Sequence, residues 1–335
     1  MRKLFITGES GMLATSIINS MKENHRYEVL DNSDLATYTN QFSYLDGKLV
    51  KNKEVDVTDK KVLKKVGKRL TPDDIIIHTA AYVNTDKCDD FSYEAVNSNI
   101  LSTQYLIDLA NSIGCKLIYF STTAVFNPDE YMKNNGEFDE TAPIDPKTLY
   151  GLSKWSGEVA VKQAMEFDKM MVIKPVFIYG DAPFDNSSMI RKISEKVYCD
   201  NHGIPYTISP LNEQGKLDVL LDPEIEKDYM RYEYFADMFY QILMMDNGWG
   251  QDFIISKDKP VPFLQYLHTI EKITGTDDLL DHINLIPSGD YLARHNGKSK
   301  NFYSLYPHFM LPVGSLNNEL GIRKTYESIV RLYDN

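Results

Sequence analysis

Lys3-Leu4-Phe5-Ile6-Thr7-Gly8-Glu9-Ser10-Gly11-Met12-Leu13-Ala14 opens the chain, and its reading decides the fold. A short apolar run enters a glycine turn, and Ile17, Ile18 and Met21 then recur at helical spacing. Strand, glycine turn, helix is the context in which a glycine motif becomes a phosphate site. Gly8 permits the tight turn. Gly11 lets the backbone approach a pyrophosphate at the helix N-terminus, where free N–H groups and the helix dipole favour an anion. Ala14 stands at the third glycine position, a known variant of the fingerprint. On this reading Gly8, Ser10, Gly11, Met12 and Leu13 hold a dinucleotide; the plain alternative is an ordinary glycine turn.

Working outward, Tyr27 to Leu30 reads as a second strand ending at Asp31, which is placed to bond a ribose 2′-hydroxyl. No Arg follows Asp31 closely, which favours NAD over NADP. Residues 32 to 53 read as a loop or short helix. Val55 to Asp59 reads as a strand end and helix start, with Asp56 and Val57 facing an adenine. Val62 to Leu70 is a basic helix. Ile75 to His78 is a bounded apolar run, expected as a buried parallel strand. It opens into Thr79-Ala80-Ala81-Tyr82, where Ala80 and Ala81 leave room for a cofactor. A helix from about Tyr93 to Ser112 contains Asn97. Lys116 to Phe120 is the next strand and ends in Ser121-Thr122-Thr123-Ala124, hydroxyls at the carboxyl edge where open α/β sheets bind ligands. Met170 to Tyr179 is another buried strand. Strand and helix thus alternate about six times over the first 180 residues, the pattern of an α/β doubly wound parallel sheet, the Rossmann architecture.

Tyr150-Gly151-Leu152-Ser153-Lys154 begins a helix that runs free of proline from Thr148 to Phe167. Tyr150 and Lys154 are four apart and share a helix face. An ammonium beside a phenol favours the phenolate and brings its proton exchange toward neutral pH. Taken alone, the pair is also what a solvated helix face looks like.

After Gly180 the rhythm changes. Helices are expected over Ser188 to Tyr198, Tyr232 to Met245, Phe263 to Ile273 and from Thr325. Strands are expected at Pro205 to Ser209 and Phe253 to Ser256. Residues 1–180 and about 226–258 read as the dinucleotide-binding domain, and about 181–225 and 259–335 as a smaller substrate-binding lobe. Asn186, Ser187, Ser188, Arg191, Arg231 and Arg294 are candidates to meet a substrate diphosphate, with Thr123 beside the reacting group. The 335-residue chain is 43% hydrophobic and 25% charged, ordinary for a globular protein, and its net charge of −12 argues against a general nucleic-acid binder. Cys88, Cys115 and Cys199 form no zinc-like spacing, so no metal and no disulfide frame is expected. Without a signal-like or membrane-spanning run, the reading is cytoplasmic.

Gly8-x-x-Gly11, Asp56, Ala80-Ala81, Asn97, Ser121-Thr122 and Tyr150-x-x-x-Lys154, in this order, resemble the extended short-chain dehydrogenase/reductase family. His78 to Cys88, Phe120 to Phe126, Glu140 to Ile144 and Ser315 to Ile322 are similar to its dTDP-4-dehydrorhamnose reductase branch. The resemblance implies a homodimeric NAD(P)-dependent reductase of a nucleotide-linked 4-keto sugar. In it Tyr150 is the acid/base, Lys154 lowers the Tyr150 pKa and bonds the nicotinamide ribose, Thr122 holds the substrate oxygen and Asn97 supports the site. Thr123 and Ala124 depart from the Asp-Glu pair of the family's dehydratases, and Ala124 from the Cys of its GDP-fucose-forming members. The rhamnose reductases themselves usually carry Asp where Thr123 stands. An epimerase of the same family needs no extra pair and stays open, as does a non-catalytic dinucleotide-binding regulatory subunit.

Overall fold

The computed structural model describes the chain apart from residues 25, 46–47, 84–91, 128–136, 182–187, 220–225, 228, 246, 257–260, 287–300, 303–317 and 335. In chain order the first half comprises β1 (Arg2–Thr7), α1 (Met12–Asn24), β2 (Tyr27–Val29), β3 (Thr37–Leu45), β4 (Lys48–Glu54), α2 (Lys60–Gly67) and β5 (Ile75–His78). Then follow α3 (Ser92–Val96), α4 (Ser102–Ile113), β6 (Lys116–Phe120), β7 (Glu137–Phe138) and α5 (Leu149–Ala164). The second half adds β8 (Met170–Pro175), β9 (Phe177–Tyr179), α6 (Met189–His202), β10 (Leu217–Val219), β11 (Glu226–Lys227), β12 (Tyr229–Arg231) and α7 (Tyr232–Leu243). It closes with β13 (Asp252–Ile255), α8 (Phe263–Thr274) and α9 (Asn318–Asp334).

Six of these strands form one parallel sheet in the order β13-β8-β6-β5-β1-β2. The chain winds outward from β1 in both directions, so the topological switch falls between β1 and β5. Their carboxyl ends, Thr7 and His78, pair directly, and His78 pairs in turn with Tyr119. A crevice at such a switch is where open α/β sheets take ligands.

Both faces of the sheet are buried, as the near-continuous apolar strands require. Leu4, Ile6, Ile75, Ile77, Ile118 and Phe120 pack on α1 and α7 through Ala14, Ile17, Met21, Phe235 and Phe239. The alternate residues Phe5, Ile76, Leu117 and Tyr119 pack on the other side against Leu63, Val66, Leu106, Ile107 and Val161. A third cluster joins α6, α8 and α9 through Ile190, Ile193, Val197, Phe263, Tyr266, Ile270 and Ile322.

Five expectations change. Residues 37–45 and 48–54 pair as the antiparallel strands β3 and β4, where a loop or short helix was expected, and Val55 to Val57 lie beyond β4 outside any strand. The run from Met170 to Tyr179 breaks at Val176; its second piece leaves the main sheet to pair with β12. Pro205 to Ser209 is not a strand, and the final helix starts at Asn318. Asp59 does cap α2, accepting the Lys61 N–H at 2.7 Å.

Arg231 ties the ends of these elements together. Its guanidinium is buried and donates to the Gly321 carbonyl (3.1 Å), the Thr325 hydroxyl (2.8 Å), Asp181 (2.6 Å) and Glu233 (3.0 Å). Thr325 donates in turn to the Gly180 carbonyl at 3.1 Å. The start of α9 is thereby fixed to the segment that follows β9. Removing one partner of a buried ion pair leaves the others uncompensated, at about 3 kcal/mol or more. Arg231→Met is therefore expected to lower the urea unfolding free energy by about 3 kcal/mol; an unchanged midpoint and slope would show that this anchor carries no stability.

Candidate active site

Gly8 adopts φ 65°, and a Cβ on it would lie 2.9 Å from the Ala80 Cα. Both facts exclude a side chain, so the glycine turn rests directly on the segment after β5. The Gly11 N–H closes the turn onto the Gly8 carbonyl at 2.9 Å, and α1 begins at Met12. The arrangement fits a dinucleotide pyrophosphate: a cradle without side chains, at a helix N-terminus, on the carboxyl edge of the sheet. Met12 reaches toward Gly180 and Tyr232, so the second half of the chain borders the same turn.

The rim of this turn is acidic. Glu54, at the end of β4, accepts both the backbone N–H (3.2 Å) and the hydroxyl of Ser10. Burial raises the Glu9 carboxyl above its ordinary range, and the Glu54 and Asp31 carboxylates raise it further. Asp31 is exposed and accepts the Ser33 N–H at 2.9 Å, a bond that holds its carboxyl below the usual range. Arg69, distant in sequence, donates to the Asp31 carbonyl (3.0 Å) and to the Asp34 carboxylate (2.6 Å). Asp56 is exposed and bonds Thr58, while Val57 is buried; Ala81 is half-buried beside Ala80.

Across the crevice, Thr122 follows β6 in an extended conformation and its hydroxyl accepts the Ala124 N–H at 3.2 Å. Thr123 is buried in the same short turn. The helix α5 is capped by the Thr148 hydroxyl, which accepts the Gly151 N–H at 3.0 Å. A Cβ at Gly151 would lie 2.5 Å from the Ala124 carbonyl oxygen, so the first turn of α5 presses onto the Thr122–Ala124 turn. Tyr150, half-buried, is carried there with it.

Lys154 is buried, with Nζ 4.4 Å from the centroid of the Tyr119 ring. Burial pulls its pKa down to about 7, while Glu158, one turn further on, pulls it up. Glu158 accepts the Ser121 hydroxyl at 2.9 Å and pairs with Lys174 (2.9 Å) and Lys162 (2.7 Å). Both lysines also reach Asp252 at 2.6 Å. Tyr119 donates to the Lys154 carbonyl at 3.0 Å, and burial first, then Tyr150 and Glu158, hold its phenol well above the ordinary range.

Asn97 begins a π-helical turn, Asn97–Leu101, and is half-buried. The side chain that the fold buries here is Asn99. It accepts the Tyr82 N–H (2.7 Å) and donates to the Tyr82 carbonyl (3.1 Å) and to Ser153 on α5 (2.9 Å). The resemblance implied the supporting role for Asn97; the π-turn turns Asn99 inward beside it. Of the substrate candidates, Arg191 is buried against Glu195 on its own helix, and Arg231 is committed as described. Ser188 caps α6, accepting the Arg191 N–H at 3.2 Å. Asn186, Ser187 and Arg294 lie outside the described residues. Among the described residues no cluster of His, Cys, Asp or Glu is placed to hold a metal, Cys115 and Cys199 are free and buried, and no helix is long and apolar enough to cross a membrane.

The chain is 32% identical over 158 residues to a dTDP-4-dehydrorhamnose reductase of Aggregatibacter actinomycetemcomitans, covering 47% of this chain and 46% of that one. The chain spans about half the length of this and several other curated relatives it matches. Two solved structures share the fold over 98% of this chain and 99% of theirs. The RMD protein of Pseudomonas aeruginosa complexed with NADPH has a TM-score of 0.73 at 13% identity. The UDP-glucose 4-epimerase of Thermus thermophilus complexed with NAD has a TM-score of 0.73 at 18% identity. A family model described as RmlD substrate binding domain matches residues 1–205, well over half of the 335. With its doubly wound sheet, glycine turn and Tyr150/Lys154 helix, the chain belongs to that family, a branch of the extended short-chain dehydrogenases/reductases.

Proposed function

We propose that the protein is an NAD(P)-dependent reductase of a nucleotide-linked 4-keto sugar. One observation supports this reading: Gly151 packs against the Ala124 carbonyl, so that Tyr150, the residue before it, begins α5 beside the turn that Thr122 caps, with Lys154 buried one turn on. The dinucleotide, when bound, supplies the hydride. The chain's own residues position and protonate. Thr122 and Tyr150 bond the keto oxygen, and Tyr150 donates its proton there as charge develops. Lys154 stabilises the phenolate left behind and bonds the nicotinamide ribose. Asn99, in the place first given to Asn97, holds the Tyr82 backbone to the helix that carries Tyr150. The substrate lobe is assigned to residues 181–225 and 259–335, and the protein to the cytoplasm. The same groups serve the second reading, an epimerase, which the absence of a further acid/base pair at Thr123 and Ala124 leaves open.

General acid catalysis contributes about 10²- to 10⁴-fold, so Tyr150→Phe should lower kcat by about that factor with dinucleotide affinity nearly unchanged. Lys154 loses its charge as pH rises through about 7. The phenolate is then less stabilised, and the reductive rate is expected to decline above neutrality. A wild-type single-turnover rate in the Phe variant, or a profile flat from pH 6 to 9, would remove this chemistry.

Glu9, Asp31 and Glu54 surround the turn with negative charge, and Arg69 is engaged by Asp34. A 2′-phosphate would meet repulsion there, so NADH is expected to bind more tightly than NADPH. Calorimetric Kd values decide this, and tighter NADPH would reverse the assignment.

The outer faces of α3 to α5 expose Tyr93, Val96, Leu101, Leu152 and Val159, with Tyr93 75% exposed. We assign this apolar surface to pairing with a second copy, as the family resemblance implies. Light scattering should give about twice the 38.5 kDa chain mass. Leu152→Glu should shift it toward one chain; a monomeric wild-type protein would refute the dimer.

A further inference from the structure

His78 is completely buried at the carboxyl end of β5, in the row Thr7–His78–Tyr119 that lies beneath the crevice. The proposed chemistry does not use it. Its hydrogen bonds nevertheless fix where its proton lies. The Thr103 hydroxyl donates to the Asn99 carbonyl at 2.7 Å, and the Ser102 hydroxyl to the Ser98 carbonyl at 2.6 Å. Each hydroxyl has one proton, so toward His78 both oxygens can only accept. Nε2 lies 3.1 Å from Thr103 and 3.3 Å from Ser102, and must therefore carry hydrogen. In a neutral ring Nδ1 is then bare and accepts the Thr7 hydroxyl at 2.9 Å. Thr7 in turn accepts the Ala80 N–H at 3.1 Å, against which Gly8 is packed.

Every link in this chain has one direction. Ala80 N–H donates to Thr7, Thr7 to His78, His78 to Thr103, and Thr103 to the Asn99 carbonyl. The Asn99 side chain continues to Ser153, and Ser153 donates to the Tyr150 carbonyl at 2.8 Å. One end touches the glycine cradle and the other touches the helix of the phenol. We infer that His78 is a positioning residue: neutral, with its proton on Nε2, it fixes the glycine cradle in register with the element that holds the Tyr150 helix. The inference rests on the reading of the cradle as a dinucleotide site and adds a residue that this reading did not need.

The groups packed around the ring support the neutral form. Thr7 comes from β1, Ser102 and Thr103 from α4, Tyr119 from β6 with ring centroids 5.8 Å apart, and Lys154 from α5. Burial, and after it the Lys154 cation, holds the His78 pKa well below its ordinary value. A second proton on Nδ1 would face Thr7 and leave the Thr7 hydroxyl without its acceptor.

Two measurements test this. In ¹⁵N-histidine-labelled protein, long-range ¹H–¹⁵N spectra should show His78 protonated on Nε2 alone at pH 7.5 and unchanged to pH 5.5, the signal being assigned by its loss in His78→Gln. An Nδ1–H tautomer or an imidazolium in that range overturns the inference, whether or not any variant folds. Second, His78→Phe should weaken NADH binding about tenfold and lower kcat on the keto sugar while its KM moves little, since the lost bonds support the cradle and helix. His78→Gln, which keeps a donor toward Thr103, should recover part of both. A folded Phe variant with wild-type affinity and turnover overturns the inference as well. The tautomer is read without cofactor or sugar, so its failure is distinct from a failure of the proposed reaction.

Discussion

Two glycines on one helix set the distance on which the site depends. Gly151 lies against the Ala124 carbonyl, and a Cβ on Gly157 would collide with the Tyr119 hydroxyl. Between them, α5 approaches the end of β6 more closely than any side chain at those positions would allow. That closeness makes Lys154 a buried residue, placing its ammonium over the Tyr119 ring instead of in water. It also lets the Tyr119 hydroxyl reach the Lys154 carbonyl, so strand and helix are joined by a bond as well as by packing. In an interior packed as densely as protein cores are, a single methyl at either glycine would tilt the helix and move the phenol.

Burying an ammonium is costly, and its neighbours determine how it is tolerated. Glu158, Asp252, Lys162 and Lys174 already balance as two carboxylates and two ammoniums. Lys154 is the unmatched cation, and this is why burial can draw its pKa to about 7 despite Glu158. Such a network is weak evidence for stability, since desolvation can exceed the attraction between the ions. Its value here is positional. It joins the middle of α5 to the end of β6 through Ser121, to β8 through Lys174 and to β13 through Asp252, three of the four strands on that side of the switch.

The sequence made the periodic and local features readable. The apolar runs at Leu4, Ile75 and Lys116–Phe120 are strands because both sheet faces are covered, and the Thr148 cap and downstream spacing mark α5. Gly8, Thr122 and Tyr150 stand at the ends of such elements, and Lys154 stands one turn into α5. What spacing could not show was decided by distant partners. The β3–β4 hairpin comes from polar residues with no clean alternation. Asn99, two residues after Asn97 in the π-turn, is the side chain that the fold buries and bonds to Tyr82 and Ser153. Arg191 and Arg231 read as candidates for a substrate diphosphate, but Arg191 pairs with Glu195 one turn along its own helix, and Arg231 with Glu233 and the distant Asp181. Glu54 reaches the cradle at Ser10, and Arg69 reaches the segment after β2, each from 35 or more residues away.

The row formed by Thr7, His78 and Tyr119 explains why the two halves of the site can act as one. Below it the sheet is apolar on both faces, and the backbone ladder and the buried pattern hold its strands in register. At the row itself each strand presents a hydrogen-bonding side chain, and hydrogen bonds have direction as well as distance. A shift of β1 against β5 would separate Thr7 from His78, and a shift of β5 against β6 would disturb the ring contact with Tyr119. The glycine cradle follows Thr7 by one residue, and the Tyr119 hydroxyl bonds the backbone of Lys154. Register at the carboxyl edge of the sheet is therefore also the register between the cradle and the helix that carries Tyr150, and the polar side chains beneath the crevice add direction to what the backbone ladder and the apolar pattern already fix.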